Sequence, residues 1–281
     1  MGLPSNMTST LAPADALLLI DPRTKGAKAL KVALISLALQ KVVSIEAAVV
    51  QRPLWRKGTV TRLRLNASSP DGLPQSSRSV VDLVGAGDGA TMADFVARAQ
   101  SAYGTRLEGF AKELVVPDLV ARGLMEIQPR KVLGVFTVRH RVLTEAGRVE
   151  RARLMAAIER GRTVPRLLAT DPKEAAAIAA SLGGLILLID ELKPHYREIS
   201  NALQQTQVEA LDISDSVSDV DGVVDFIADF DFGAFDNAAF DALDSAVSAF
   251  DSSFDSASSD SGSDSGGGSD SGGSSDSGSG C

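Results

Sequence analysis

A chain of 281 residues with 44% apolar content can build one sizeable core, and its single cysteine, Cys281, excludes any disulfide within the chain. The net charge of −8 hides a division: all 28 Lys and Arg lie at or before Arg197, among 19 acids, so that part carries +9, while the other 17 acids lie beyond Asn201. A basic body joined to an acidic tail calls for an anionic partner, whether lipid headgroups, nucleic acid or the tail itself. The lone Cys fits a reducing compartment. No basic segment leads into an apolar one at the start. The longest apolar run, 185–189, falls far short of the roughly 20 residues of a spanning helix. The expectation is therefore a cytoplasmic protein, peripheral to membranes where it meets them.

In chain order, 16–20 is a short apolar segment after Pro13. Residues 28–39 predict a strong helix: Leu30, Leu34, Leu37, Val32, Ile35 and Leu39 form a wide apolar face, and Lys28 and Lys31 lie on or beside its polar side. Residues 42–50 are rich in β-branched side chains and read as a strand, 51–58 as a turn, and 60–65 as the returning strand of a hairpin. The segment 78–90 holds a G-x-G-x-x-A pattern at Gly85, Gly87 and Ala90. It reads either as a nucleotide-binding turn or as a short helix stopped by Gly85. The missing series of βα units favours the helix. Thr91 predicts an N-cap for a helix over 92–103, with Met92, Phe95, Val96 and Ala99 inward.

The stretch 118–158 reads as helix, hairpin, helix. Pro129-Arg130-Lys131 is expected to be the turn. Val132-Leu133-Gly134-Val135-Phe136 is an apolar run with Arg130 and Lys131 before it and Arg139 and Arg141 after it. Such a run is either a core strand or a tip that dips into an anionic headgroup layer. Thr144 is the expected N-cap of a helix over 145–160, with Val149, Ala152, Met155 and Ile158 at helical spacing. The Glu of a capping box is replaced there by Gly147. Asp171-Pro172 is a helix start, and 173–192 is expected to be one buried helix ended by Pro194. A last amphipathic helix is expected over 196–205.

Beyond Thr206 the composition changes. Seven of the ten Phe lie in the tail, each next to an Asp, and Phe240, Leu243, Val247, Phe250 and Phe254 make one stripe if helical. This stripe is expected to anchor the tail back on the basic body, with Asp241, Asp244 and Asp251 meeting cations, or to serve a protein partner. Residues 256–280 are Ser, Gly, Asp and one Ala, and cannot bury enough apolar surface to order themselves. Catalytic chemistry finds no footing: His140 and His195 lie in unrelated segments, and no His/Cys/carboxylate cluster, P-loop or G-x-S-x-G elbow is present.

Several stretches together resemble the Golgi phosphoprotein 3 family, bacterial members included. ALISLALQKVVSIEA at 33–47 is similar to its first long helix running into a strand. RKGTVTRLRL at 56–65, with the loop through Ser77 and the segment 79–84, is similar to its hairpin and next helix. Residues 119–158 resemble its helix, apolar hairpin and long helix, and 175–203 its closing apolar helices. The likeness covers about 14–205. It implies a peripheral membrane protein that recognises phosphatidylinositol 4-phosphate. The family's lipid site has a Trp and an Arg near the start of the first long helix, and two Arg three apart before the central helix. Here those places hold Lys28 and Lys31 without a Trp, and Gly109 and Lys112 with Arg106 a turn earlier.

The expected fold class is mainly α. A compact helical domain with two β-hairpins covers 11–205. An acidic Phe-Asp segment with a short amphipathic helix follows over 206–255, then a disordered acidic tail over 256–281. The expected function is that of a non-enzymatic peripheral membrane or adaptor protein binding anionic lipid, of the phosphoinositide type. Lys28, Lys31, Arg106 and Lys112 are the expected headgroup-binding residues, and Leu133, Val135 and Phe136 the membrane-inserting ones. No metal or cofactor is expected. The alternative is a winged-helix-type DNA-binding regulator, disfavoured because neither half has a polar, Arg-rich recognition helix.

Overall fold

The computed structural model describes residues 11–52, 56–66, 72–85, 89–132, 136–212 and 237–259. It is mainly helical with two antiparallel hairpins. In order come α1 (Pro13–Ile20), α2 (Gly26–Leu39), the hairpin β1 (Val43–Arg52) and β2 (Arg56–Leu65), α3 (Gln75–Val84), β3 (Ala90–Thr91) and α4 (Met92–Tyr103). A π-helical turn, Phe110–Val115, leads into α5 (Val116–Ala121) and a second hairpin, β4 (Met125–Val132) and β5 (Phe136–Leu143). Then follow α6 (Glu145–Gly161), α7 (Val164–Thr170), α8 (Pro172–Leu182), two 3₁₀ segments (Gly183–Leu188 and Asp190–His195), α9 (Tyr196–Asp212) and α10 (Asn237–Ser259).

α2 is the centre of the core. Leu30, Ala33, Leu34 and Leu37 pack with α1, α3, α4 and the π-helical turn, while Ile35 and Leu39 pack with α8, α9 and the 3₁₀ segments. Its wide apolar face is what allows it to bury on two sides.

Local start signals translate directly into structure. Thr91 caps α4 by accepting from the Asp94 N–H at 3.1 Å, and Asp94 reaches back to the Thr91 N–H, a reciprocal capping box. Met92, Phe95, Val96 and Ala99 are buried, as the periodicity predicts. Asp171 caps α8 with Pro172 behind it. Thr144 caps α6 from the Gly147 N–H at 3.0 Å.

Other expectations are corrected. Pro129 is not in a turn: β4 runs straight through it, with Pro129 opposite Arg139, and the chain reverses between the paired residues Val132 and Phe136. In a two-stranded ribbon every residue is at an edge, so the missing N–H of Pro costs little. The first hairpin is likewise longer than expected, and its reversal falls between Arg52 and Arg56. The expected helix over 173–192 ends at Leu182, because Gly183 adopts a left-handed φ of 49°, and the rest winds as 3₁₀ turns. α6 buries Gly147, Leu154, Ile158 and Gly161, while Val149 (63% exposed) and Met155 (44%) face outward. Of the spaced residues Val149, Ala152, Met155 and Ile158 only Ile158 is buried, because Gly147 lies on the packed side and carries no hydrophobic signal.

Gly85 ends a helix, as the second reading of that segment expects. α3 stops there, and the Arg98 guanidinium donates to the Leu83 and Val84 carbonyls at 3.1 and 3.3 Å. A dinucleotide turn follows a strand, whereas Gly85 follows the helix α3, which corrects the nucleotide-binding alternative.

The tail stretch forms α10, packed against α4, β1, α2, β2 and α9. Ala246 and Phe250 are buried in the main core, Phe254 packs beside them, and Val247 leans on the second cluster. Residues 213–236 and 260–281, and with them the expectation of a disordered end, lie outside the described residues. So do the side chains of Asp241 and Asp244.

Candidate functional site

Four features meet at the N-terminal end of α2: its first turn, the 104–109 loop, the π-helical turn and the start of the second 3₁₀ segment. The junction depends on two backbone choices. Gly26 is buried against the Leu107–Glu108 backbone so closely that a Cβ on it would lie 1.8 Å from the Leu107 carbonyl oxygen. Leu107 is fully buried and holds a left-handed φ of 56°, which costs about 1–2 kcal/mol for a side chain of that kind. Strain of this sort persists only where surrounding packing enforces it.

The cations around this junction form two groups. Lys28 and Lys31 project from α2 and both lower the pKa of Asp190. The chief cause of that shift is Lys193, whose ammonium lies 2.6 Å from the Asp190 carboxylate. Lys31 is also committed elsewhere: its ammonium donates to both carboxylate oxygens of Asp251 in α10, at 2.8 and 3.0 Å. The second group surrounds Glu108. Lys112 sits 2.8 Å from it, one helical turn on, and holds its carboxyl below the ordinary range, with Arg106 and Arg141 adding to the effect. Arg141 comes from β5, and burial lowers its own pKa while Glu108 opposes that. A guanidinium remains charged regardless.

The structure therefore brings Lys28 together with Lys31, and Arg106 with Lys112. The Gly26 contact joins the two groups, because Gly26 begins the helix that carries the lysines and touches the loop that carries Arg106 and Glu108. Sequence reasoning missed Arg141 as a member, and missed Asp190 and Glu108 as the acids already present. Arg141 gave a signal, since it alternates with Val138 and Val142 on its strand. Nothing local says that its side chain reaches Glu108.

α2 also begins against its own dipole. Lys25 at the N-cap makes no side-chain cap, the first turn holds no acid, and Lys28 adds a cation to the positive end. The sequence spends some helix stability to place positive charge there.

The second hairpin, whose β5 carries Arg141, extends outward from the core. Met125 at its root is buried, and Leu124 and Leu143 pack on the core, but Ile127 two pairs further out is 46% exposed. From Ile127 the ladder continues to Val132 opposite Phe136. Five residues at about 3.3 Å each carry the reversal roughly 16 Å further. Leu133 and Val135 lie outside the described residues, and Phe136 is described only as the first residue of β5.

Among the described residues, no group of His, Cys, Asp and Glu is placed to hold a metal ion, and no helix is long and apolar enough to cross a membrane. No protein-family model matches the chain, and a search of curated proteins finds no match to it.

Proposed function

We propose that this protein is a non-enzymatic peripheral membrane or adaptor protein that binds anionic lipid headgroups at the N-terminal end of α2. Lys28, Lys31, Arg106 and Lys112 provide the charge, Arg141 is added to them, and the apolar run 132–136 at the hairpin tip enters the interface. The observation that carries the reading is that the loop bearing Arg106 and Glu108 packs on Gly26, the first residue of the helix bearing Lys28 and Lys31, while Lys112 and Arg141 gather about Glu108. A helix that starts with lysines instead of acids at its positive end supports an anion there. The resemblance to the Golgi phosphoprotein 3 family supports the same site and suggests a phosphoinositide. The DNA-binding alternative has less support, because α2 is largely buried and α5 has only six residues, leaving neither as a reading helix for a groove.

The test is co-sedimentation with vesicles of phosphatidylcholine alone and with added phosphatidylserine or phosphatidylinositol 4-phosphate, run beside a DNA mobility shift. Binding should favour the anionic vesicles and weaken as salt shortens the screening length below about 10 Å. Each cation near such a surface contributes about 1 kcal/mol, so Lys28→Ala or Arg106→Ala should each weaken binding about five-fold. Equal binding to neutral vesicles, or a mobility shift without vesicle binding, would count against the reading.

The hairpin tip has its own test. Leu133→Asp is expected to reduce vesicle binding and leave the melting temperature unchanged. A large fall in melting temperature would instead mark 132–136 as core, since an unpaired charge is costly to bury.

A further inference from the structure

The contact between α10 and α2 has a consequence for the proposed site. We propose that α10 is an intramolecular competitor, an acidic helix that occupies the α2 lysines and is displaced when the protein meets an anionic membrane. The inference rests on the reading of α2 as the headgroup site.

The geometry divides the helix into an anchor and an acidic face. Phe250, 2% exposed, enters the core with Ala246, and Phe254 stacks against Phe250 with ring centroids 6.3 Å apart and planes 3° from parallel. That burial fixes the rotation of the helix. Asp251, the next residue, then falls at Lys31 and takes its ammonium with both oxygens. A lysine ammonium has three protons to donate, so a phosphate oxygen must compete with this carboxylate for them. α10 contains no Lys or Arg, and Asp241, Asp244, Asp251 and Asp255 are all on it. A membrane of negative charge is repelled by the docked helix at the point where the lysines would attract it. Docking of α10 and docking of the membrane on Lys31 are therefore mutually exclusive in charge.

The ion pair is also of a strength that can be reversed. Asp251 is 55% exposed at its side chain, and exposed ion pairs contribute little on their own. Two residues of the helix, Ala246 and Phe250, are buried among those described. Residues 213–236 join α9 to α10 covalently, so a released helix stays attached to the body and can return once the membrane is gone. Asp190 differs in this respect: it lies in the 3₁₀ segment of the body and moderates Lys28 and Lys31 in either state.

The experiment uses the full chain, so that variants of the ion pair are compared with the rest of α10 unchanged. Wild type, Asp251→Asn, Lys31→Ala and the double variant are compared for binding to phosphatidylcholine vesicles containing phosphatidylserine or phosphatidylinositol 4-phosphate at low salt. Hydrogen exchange of the amides at 246–256 is followed in the same samples. Asp251→Asn, nearly isosteric, should bind two- to five-fold more tightly than wild type, the range of an exposed pair. The gain should vanish in the Lys31→Ala background, and α10 amides of wild type should exchange faster on anionic vesicles and not on neutral ones. If Asp251→Asn and wild type bind anionic vesicles alike, or α10 keeps its protection on the vesicle, the competitor role is overturned and the lipid site stands. If no variant binds anionic vesicles, the lipid reading itself fails and takes this inference with it.

Discussion

Asp15→Asn is expected to stabilise the protein by about 4 kcal/mol at pH 8 and to change little at pH 4. Asp15 lies on α1, 1% exposed, and neither carboxylate oxygen has a well-formed hydrogen bond. The Ala12 backbone and the Asp118 carboxyl approach it without completing one. Burial is the main cause of its high pKa, and the Asp118 charge adds to it, while Arg122, which pairs with Asp118 at 2.8 Å, partly offsets both. The result is a carboxyl pushed from 3.8 to about 7. The sign follows from which state holds the proton. The folded chain binds it more tightly than the unfolded chain, so the stabilisation is complete below about pH 4 and is lost as pH rises through 7. Three pKa units correspond to about 4 kcal/mol. Asn removes the charge and with it the dependence. Chemical denaturation of both proteins from pH 4 to 8.5 would measure this. Parallel stability curves would mean that Asp15 is ionised at no cost and that this account of its burial is wrong.

Gly26→Ala should cost about 3 kcal/mol, at the upper end for overpacking. An added methyl would sit 1.8 Å from the Leu107 carbonyl oxygen and 2.6 Å from its carbon, and both are backbone atoms of a residue already held in the left-handed region. Neither partner can swing aside as a side chain end would. Gly123→Ala is the control. It has a left-handed φ of 69° at the end of α5 but nothing within 4 Å of the new methyl, so only conformational strain of about 1 kcal/mol applies. If the Gly26 contact holds the two cation groups together, vesicle binding should fall in Gly26→Ala at temperatures where the chain remains folded, and should not fall in Gly123→Ala. Similar losses of stability in the two variants would show that the close approach at Gly26 is not a constraint.

Both experiments concern residues whose importance is invisible in one dimension. In sequence Asp15 only opens a short apolar segment, and Gly26 only closes the turn-rich connection before the helix. Gly147 is a third case. In sequence it is a defect in a capping box, whereas in the fold it faces the Leu124 carbonyl, 1.9 Å from where a Cβ would be, and a Glu could not stand there. The Thr144 cap survives because its hydroxyl needs only the Gly147 N–H.

Signals carried by a few adjacent residues were legible from the sequence alone. The caps at Thr91, Thr144 and Asp171, the period of 92–99, the mainly helical class with its two hairpins, and the charge division between body and tail all depend on chemistry within one or two turns of chain. Tertiary structure decided the rest. The path of β4 through Pro129, the outward face of Val149 and Met155, the gathering of Arg106, Lys112 and Arg141 about Glu108, and the seat of Asp251 on Lys31, 220 residues away, follow from which surfaces are packed together. The physical reason is that burial and charge pairing act through space. A local pattern specifies which groups can be buried or paired, and only the packed chain selects which of them are.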